Sequence, residues 1–420
     1  MQKWKFYTPD GVQDILFEEC ANKREIENIT RQLFNNRGFR EVEPPSIEFY
    51  DVFCGELGSI EQESMFKFFD QQGRILVLRP DITTSIARIA STKLDEEIYP
   101  IRFSYIGNVF RFDEQVSARL KQREFTQAGV EILGHEGPEA DAEVISTIIE
   151  AIKQTGLENF QIEIGQVEFF KGLIEQADFS EYECEKIRTL IKNKDYFGIE
   201  ATLKNKKIPE DLKETIMKLP QMFGTISLID EIYPKIKNER SRTALDNLRE
   251  ICEILKDYGC EKYINIDLAM VQSINYYSGM IFRGFTHGIG FSLCGGGRYD
   301  RFTSNFGKDV PATGGAIGIN RLMLALHRQN ISIKPHGVET LITYLPQGRK
   351  VAVQIAQELR RLGVSVEVFL GQSDVEKSKE YAKAHGIEGM ISVIDKNSIQ
   401  VHDLNKGSVV DTTLKELIEK

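Results

Sequence analysis

Apolar residues recur at helical spacing through residues 17–37, FEECANKREIENITRQLFNNR, which predicts an amphipathic helix with Gly38 as its stop. FREVEPPSIEFYDVF then reads as extended chain broken by Pro44 and Pro45. From about 66 to 133 the pattern is mostly strand: ILVLRP is short, IRFSYIGNVFRF and REFTQAGVEILG are long, and DITTSIARIAS between them has helical spacing. Residues 139–155 return to helical spacing. Strand patterns resume at KYINIDLAM and run through NYYSGMIFRGF and GIGFSLCGGGRYD, and TGGAIGINRLMLALHR is a glycine-rich strand entering a helix.

Between these blocks, residues 168–260 are rich in Lys and Glu with helical periodicity, which predicts an inserted helical module. Residues 331–337 read as a linker. Beyond it, LITYL, VAVQIAQELRRLG, VSVEVFL, EKSKEYAKAHG and GMISVID alternate strand and helix, so residues 338–420 are expected to form a small α/β domain. The expected class is α+β: a core over 1–330 built on an antiparallel sheet flanked by helices, then the smaller domain.

Composition narrows the function classes. With 41% hydrophobic and 28% charged residues, the 420-residue chain is an ordinary globular protein of more than one domain. No run approaches the roughly 18 apolar residues of a membrane helix, and MQKWKFYTPDGVQDI lacks a signal-peptide apolar stretch, so a cytoplasmic location is expected. A net charge of -10 argues against a general nucleic-acid binder. Cysteines 20, 54, 184, 252, 260 and 294 are scattered, with no metal-ligand spacing, and read as small buried hydrophobes. Neither a metal nor a cofactor is expected.

Candidate chemistry sits on the sheet. In REFTQAGVEIL, Arg123, Phe125, Gln127, Gly129 and Glu131 share one face, while Thr126, Ala128, Val130 and Ile132 can pack beneath it. Gln127 and Glu131 flank Gly129, which leaves room for a ligand; a solvent-facing polar edge would read the same way. Arg111 suits a carboxylate or phosphate through its planar fork, or a cross-strand salt bridge. Asp81 could cap the following helix or, with Thr83, take a ligand ammonium. Tyr276 and Tyr277 in SINYYSGMIF could be core or line a slot for a flat, polar group. Arg321, at a strand-to-helix junction, could contact phosphate or pair with a helix carboxylate. Together these residues suggest a small zwitterionic ligand, with Asp81 at its ammonium and Glu131 accepting from a ring N–H.

VFRF…REFTQAGVE resembles motif 2 of class II aminoacyl-tRNA synthetases in its histidyl version. EVEPPSIE resembles motif 1, whose proline lies at the dimer interface, and GGAIGINRLMLAL resembles motif 3, with Arg321 as its arginine. NYYSGMIF and GGGRYD resemble the two histidine-specific motifs. The resemblance runs from about residue 8 to 327, and a weaker one to the anticodon-binding domain covers 336–420. It implies a histidine pocket in which Asp81 and Thr83 meet the α-amino group, Gln127 and Glu131 meet the amino group and the imidazole, and Tyr276 and Tyr277 shape the side-chain slot. Arg111 would bridge the histidine carboxylate and a nucleotide phosphate, and Arg321 would belong to the nucleotide half. A homodimer is implied by motif 1.

The departures from that family fall on the chemistry. Gln272 stands where the family has an arginine that stabilises charge during adenylate formation, Asn275 where it has aspartate, Asp113 where motif 2 has glutamate, and Asn320 where motif 3 has glutamate. A neutral amide does not offset developing anionic charge, and losing one such group costs about 10²–10³-fold in rate. This pattern resembles the regulatory-subunit family of ATP phosphoribosyltransferase, a catalytically inactive branch. That resemblance implies a short-form catalytic subunit as partner at the first step of histidine biosynthesis, with L-histidine as ligand and feedback inhibition through it. Loop 113–123 is a candidate element for histidine to order. The alternative is an active, divergent histidyl-tRNA synthetase. Against it, residues 336–420 carry 11 Lys+Arg and 12 Asp+Glu, without the basic excess of a phosphate-binding surface.

Overall fold

The computed structural model describes residues 4–54, 60–94, 96–112, 122–204, 206–271, 277–333, 337–371 and 374–418. The chain forms two compact units, Met1–Ile333 and Lys334–Lys420.

The first unit is organised on a nine-stranded sheet. In spatial order its strands are Arg40–Glu41, Ile101–Phe110, Glu124–Leu133, Ala312–Gly318, Cys294–Arg298, Met280–Thr286, Phe160–Gln166, Ile264–Asp267 and Phe223–Gly224. The six strands from Ile101–Phe110 to Phe160–Gln166 are antiparallel to their neighbours. Arg40–Glu41 and Ile264–Asp267 pair in parallel, so the sheet is mixed at its edges rather than wholly antiparallel. The long strands follow the alternation of the sequence: Ala128, Val130 and Ile132 go into the hydrophobic core and Glu131 faces the other way.

Helices cover the apolar face. Phe17–Asn36 buries Ile26, Leu33 and Phe34 on one stripe and stops before Gly38, whose φ of +77° favours glycine. Pro138–Gln154 is buried on nearly every side, because the sheet lies below it and a later helix, Glu239–Asp257, lies against it. Between strands Phe160–Gln166 and Ile264–Asp267 the chain is almost entirely helical. Its segments are Val167–Gln176, Glu181–Lys192, Tyr196–Lys204, Glu210–Lys218, Ser227–Ile232 and Glu239–Asp257. Buried Ile187, Ile199, Ile216 and Leu248 of these helices join the cluster that backs the sheet.

Motif 1 folds differently from a plain extended run. Ile47–Phe49 pairs antiparallel with Ile75–Leu78, which also pairs with Lys67–Phe69, giving a separate three-stranded sheet. Buried Arg79 ties this region to the main sheet by donating to the carbonyls of Pro44 and Asn108.

The second unit has five strands in the order Val366–Val368, Thr340–Tyr344, Gly389–Asp395, Ser398–Asp403 and Ser408–Thr412. The first three are parallel, and helices Arg349–Arg361 and Val375–Ala384 connect them. The last two add as an antiparallel extension, which the sequence pattern did not predict. Cysteines 252, 260 and 294 are buried as expected, but 20, 54 and 184 are only partly so. Among the described residues no helix is long and apolar enough to cross a membrane.

Candidate functional site

The polar face of the sheet converges on Glu131, which is 1% exposed. Its Oε1 accepts from the Thr83 hydroxyl at 2.8 Å and the Tyr105 hydroxyl at 3.2 Å, and its Oε2 accepts from the Tyr299 hydroxyl at 2.5 Å. Burial pushes the Glu131 carboxyl up to about 7, although the three hydroxyls pull it back. A carboxylate has about four lone-pair sites, so one acceptor position is left for a ligand.

Register explains why the site exists. Glu131 pairs across to Gly314, where a Cβ would sit 1.4 Å from Oε2. Only glycine at 314 admits the carboxylate. Gly129 reads in the sequence as an opening for ligand, but its role is different. It pairs with Tyr105, whose hydroxyl would lie 2.4 Å from a Cβ there. The tyrosine fills the space and delivers its hydroxyl to Glu131.

Asp81, Thr83, Arg111, Gln127, Glu131 and Tyr277 line one cavity of about 180 Å³, floored by the glycine strands. The sequence reading of these six is therefore spatially coherent. Asp81 Oδ1 accepts from the Thr84 amide at 3.0 Å, so it braces the first turn of helix Thr83–Lys93 while also lining the cavity. The Thr83 hydroxyl proton is committed to Glu131, so its oxygen is an acceptor for anything in the cavity. The Arg111 guanidinium lies 5.0 Å from the Phe125 ring centroid. Burial pushes the Tyr277 phenol well up, so it enters the cavity as a neutral donor. Tyr276, Gln272, Asn275 and Asp113 lie outside the described residues, as does the 113–121 part of the loop expected to respond to ligand.

Two residues at the site were missed as site members: Tyr105 and Tyr299. Alternation places Tyr105 on one face, but only the register with Gly129 shows its purpose. Tyr299 lies in the quoted GGGRYD and is positioned by its neighbour Arg298. Arg298 Nε donates to Asp141 Oδ2 at 3.1 Å, and Nη2 stands 3.0 Å from Oδ1 without hydrogen-bond alignment. It also donates to the carbonyls of His135 and Gly137, locking the strand to the start of helix Pro138–Gln154.

A second, larger cavity of about 1010 Å³ adjoins Phe125, Asn320 and Arg321. The Arg321 guanidinium lies 5.1 Å from the Phe291 ring centroid and donates to the Ser292 carbonyl at 2.9 Å. Asn320 Oδ1 accepts from the Thr126 amide at 2.9 Å, so this side chain clamps helix Ile319–Arg328 to the strand carrying Gln127. No group of His, Cys, Asp and Glu fit to hold a metal occurs among the described residues.

A family model described as Histidyl-tRNA synthetase matches residues 11–322. A curated relative from Acetivibrio thermocellus, named ATP phosphoribosyltransferase regulatory subunit, is 54% identical over 419 residues, covering 100% of both chains. The chain belongs to the ATP phosphoribosyltransferase regulatory subunit family. A second member, from Ruminiclostridium cellulolyticum, is 47% identical and covers 100% of this chain and 99% of its own. Among solved structures, an ATP phosphoribosyltransferase regulatory subunit/histidyl-tRNA synthetase from Bacillus halodurans C is 31% identical with a TM-score of 0.80, covering 93% of this chain and 98% of its own. Histidyl-tRNA synthetase from Nostoc sp. PCC 7120 has a TM-score of 0.84 at 20% identity, covering 99% of each chain, and shares the fold. The regulatory subunit family therefore carries the class II synthetase-like α+β fold seen here.

Proposed function

We propose that this chain is the non-catalytic regulatory subunit of an ATP phosphoribosyltransferase. It binds L-histidine in the cavity around Glu131 and acts on a short-form catalytic subunit at the first step of histidine biosynthesis, raising its activity and relaying feedback inhibition. The observation that carries this reading is the full-length 54% identity to a relative of that name. The cavity supports the ligand. Asp81 and the Thr83 oxygen suit an ammonium, Gln127 and the remaining acceptor position of Glu131 suit amino and ring N–H groups, and Arg111 suits a carboxylate. Regulation requires histidine to favour one arrangement of the complex, by a coupling of typically about 1–3 kcal/mol.

The regulatory chain is proposed to work as a homodimer through the small sheet of motif 1. Ile47, Phe49, Phe68, Leu76 and Leu78 share one face of that sheet, with Ile47 49% and Phe49 45% exposed. An exposed, contiguous apolar face of this kind marks a protein interface.

Histidine-dependent ATP–pyrophosphate exchange, run beside calorimetric titration with histidine, tests the reading. Histidine binding without exchange is expected, and the catalytic subunit added afterwards then gains activity. Exchange at ordinary synthetase rates would favour the second reading, an active histidyl-tRNA synthetase, for which retained Arg111 and Arg321 are the specific support.

A further inference from the structure

Arg283 is a half-buried arginine without an evident structural role. It sits in strand Met280–Thr286, opposite Gly295 on one side and Glu163 on the other. Following the register across the sheet, Tyr105, Gly129, Ala316, Gly295, Arg283 and Glu163 form one transverse row on one face. That face holds Glu131 and the cavity. Among the described residues no hydrogen bond or ion pair ties the Arg283 guanidinium to another side chain. A half-buried guanidinium held by no hydrogen bond, beside the floor of a cavity, keeps its donors for a partner from outside the chain.

Arg283 adjoins the floor of the cavity. Gly295 lines the cavity, and a Cβ there would lie 3.8 Å from Arg283 Cγ, so the arginine stem runs beside a floor without side chains. The charge reaches the cavity. Burial raises the Tyr277 phenol and Glu131 raises it further, while Arg283 opposes them more strongly than Arg111 does. Glu163, opposite Arg283, and Asp267 also feel its charge, which works against the upward push of burial on both carboxyls.

We infer that Arg283, across the glycine floor from Asp81 and Glu131, is a recognition residue for the carboxylate of the amino acid bound in the cavity. The inference rests on the proposed histidine pocket and deepens it. Asp81 and Glu131 line the cavity on one side of the glycine floor, and Arg283 stands past that floor on the other. An amino acid whose ammonium meets Asp81 then presents its carboxylate toward the planar fork of Arg283, which can donate two parallel hydrogen bonds.

Calorimetric titration of the full chain with L-histidine and with L-histidinol, which lacks the carboxylate, tests this on the wild type, Arg283→Met and Arg111→Met. The wild type is expected to bind histidine about 10- to 100-fold more tightly than histidinol, the worth of one charge-assisted contact. Arg283→Met should cut that preference at least severalfold, beyond what Arg111 supplies, and leave histidinol affinity unchanged; Arg283→Lys, which keeps the charge and loses the fork, should retain part of it. A preference intact in Arg283→Met but lost in Arg111→Met would overturn the assignment and leave the histidine pocket standing. Equal affinity of the wild type for both ligands would also overturn it, without a variant having to fold. Binding of neither ligand would sink the pocket and this inference together.

Discussion

Glu131→Gln isolates the cost of burying one carboxyl at the centre of the sheet. Burial moves its proton affinity from the ordinary 4.5 to about 7. At 1.36 kcal/mol per pH unit, holding it ionised in the folded chain costs about 3 kcal/mol. Between pH 4.5 and 7 the folded state binds more protons at this site than the unfolded state. Stability therefore falls with rising pH across that window and levels off above it. Gln has the same size, still offers an oxygen to the hydroxyl donors, and does not titrate. Urea unfolding of wild type and variant at half-unit steps from pH 4.5 to 8.5 gives the difference in unfolding free energy. The wild type should lose about 3 kcal/mol relative to the variant between the two ends. A constant offset would come from the amide's different hydrogen bonding and does not count. A difference that stays flat with pH would refute the reasoning, since it would mean that the three hydroxyls of Thr83, Tyr105 and Tyr299 fully offset the burial. Saturating histidine should shrink the wild-type slope, because a ring N–H reaching Glu131 favours its ionised form.

Three further outcomes are expected. Arg298→Met leaves Asp141 buried without its cation and should cost about 3–5 kcal/mol in denaturant unfolding; Asp141→Asn with Arg298→Met should recover part of the loss. Gly314→Ala drives a methyl into Glu131 Oε2, so it should destabilise by about 1–3 kcal/mol or more and weaken histidine binding, read by thermal shift and calorimetry; unchanged values would contradict the register. Phe49→Glu places a charge on the exposed apolar face of the small sheet and should halve the mass seen by light scattering, while an unchanged mass would move the dimer interface elsewhere.

Local periodicity carried the secondary structure a long way. The helix stop at Gly38, the alternation of Glu124–Leu133 and the turn from strand Ala312–Gly318 into helix Ile319–Arg328 are all written in neighbouring residues. What neighbours cannot write is register. Gly129 looked like an opening because its own strand says nothing of Tyr105, which lies 24 positions earlier and fills the gap from the next strand. Arg283 drew no reading from the sequence, since its place beside the cavity floor depends on three intervening strand pairings. The strands Ser398–Asp403 and Ser408–Thr412 were missed because an edge extension exposed on one side needs little apolar content.

Asn320, the departed residue that falls among the described ones, and the residues that hold Glu131 occupy different parts of this fold. Glu131 is held by Thr83, Tyr105 and Tyr299 from three other segments and fits only because residue 314 is glycine. A change to any of them exposes or clashes with a buried carboxyl, and the protein loses stability. Asn320, one of the positions that differ from the synthetases, has no part in that network. It holds the Thr126 amide, a contact that needs only an acceptor oxygen and that a short amide supplies. The cavity is therefore tied to folding through its own hydrogen bonds, whereas substitution at position 320 is compatible with an intact sheet. A chain under this constraint can change position 320 and still keep the cavity around Glu131. Such a separation is what a regulatory subunit built on a synthetase fold requires.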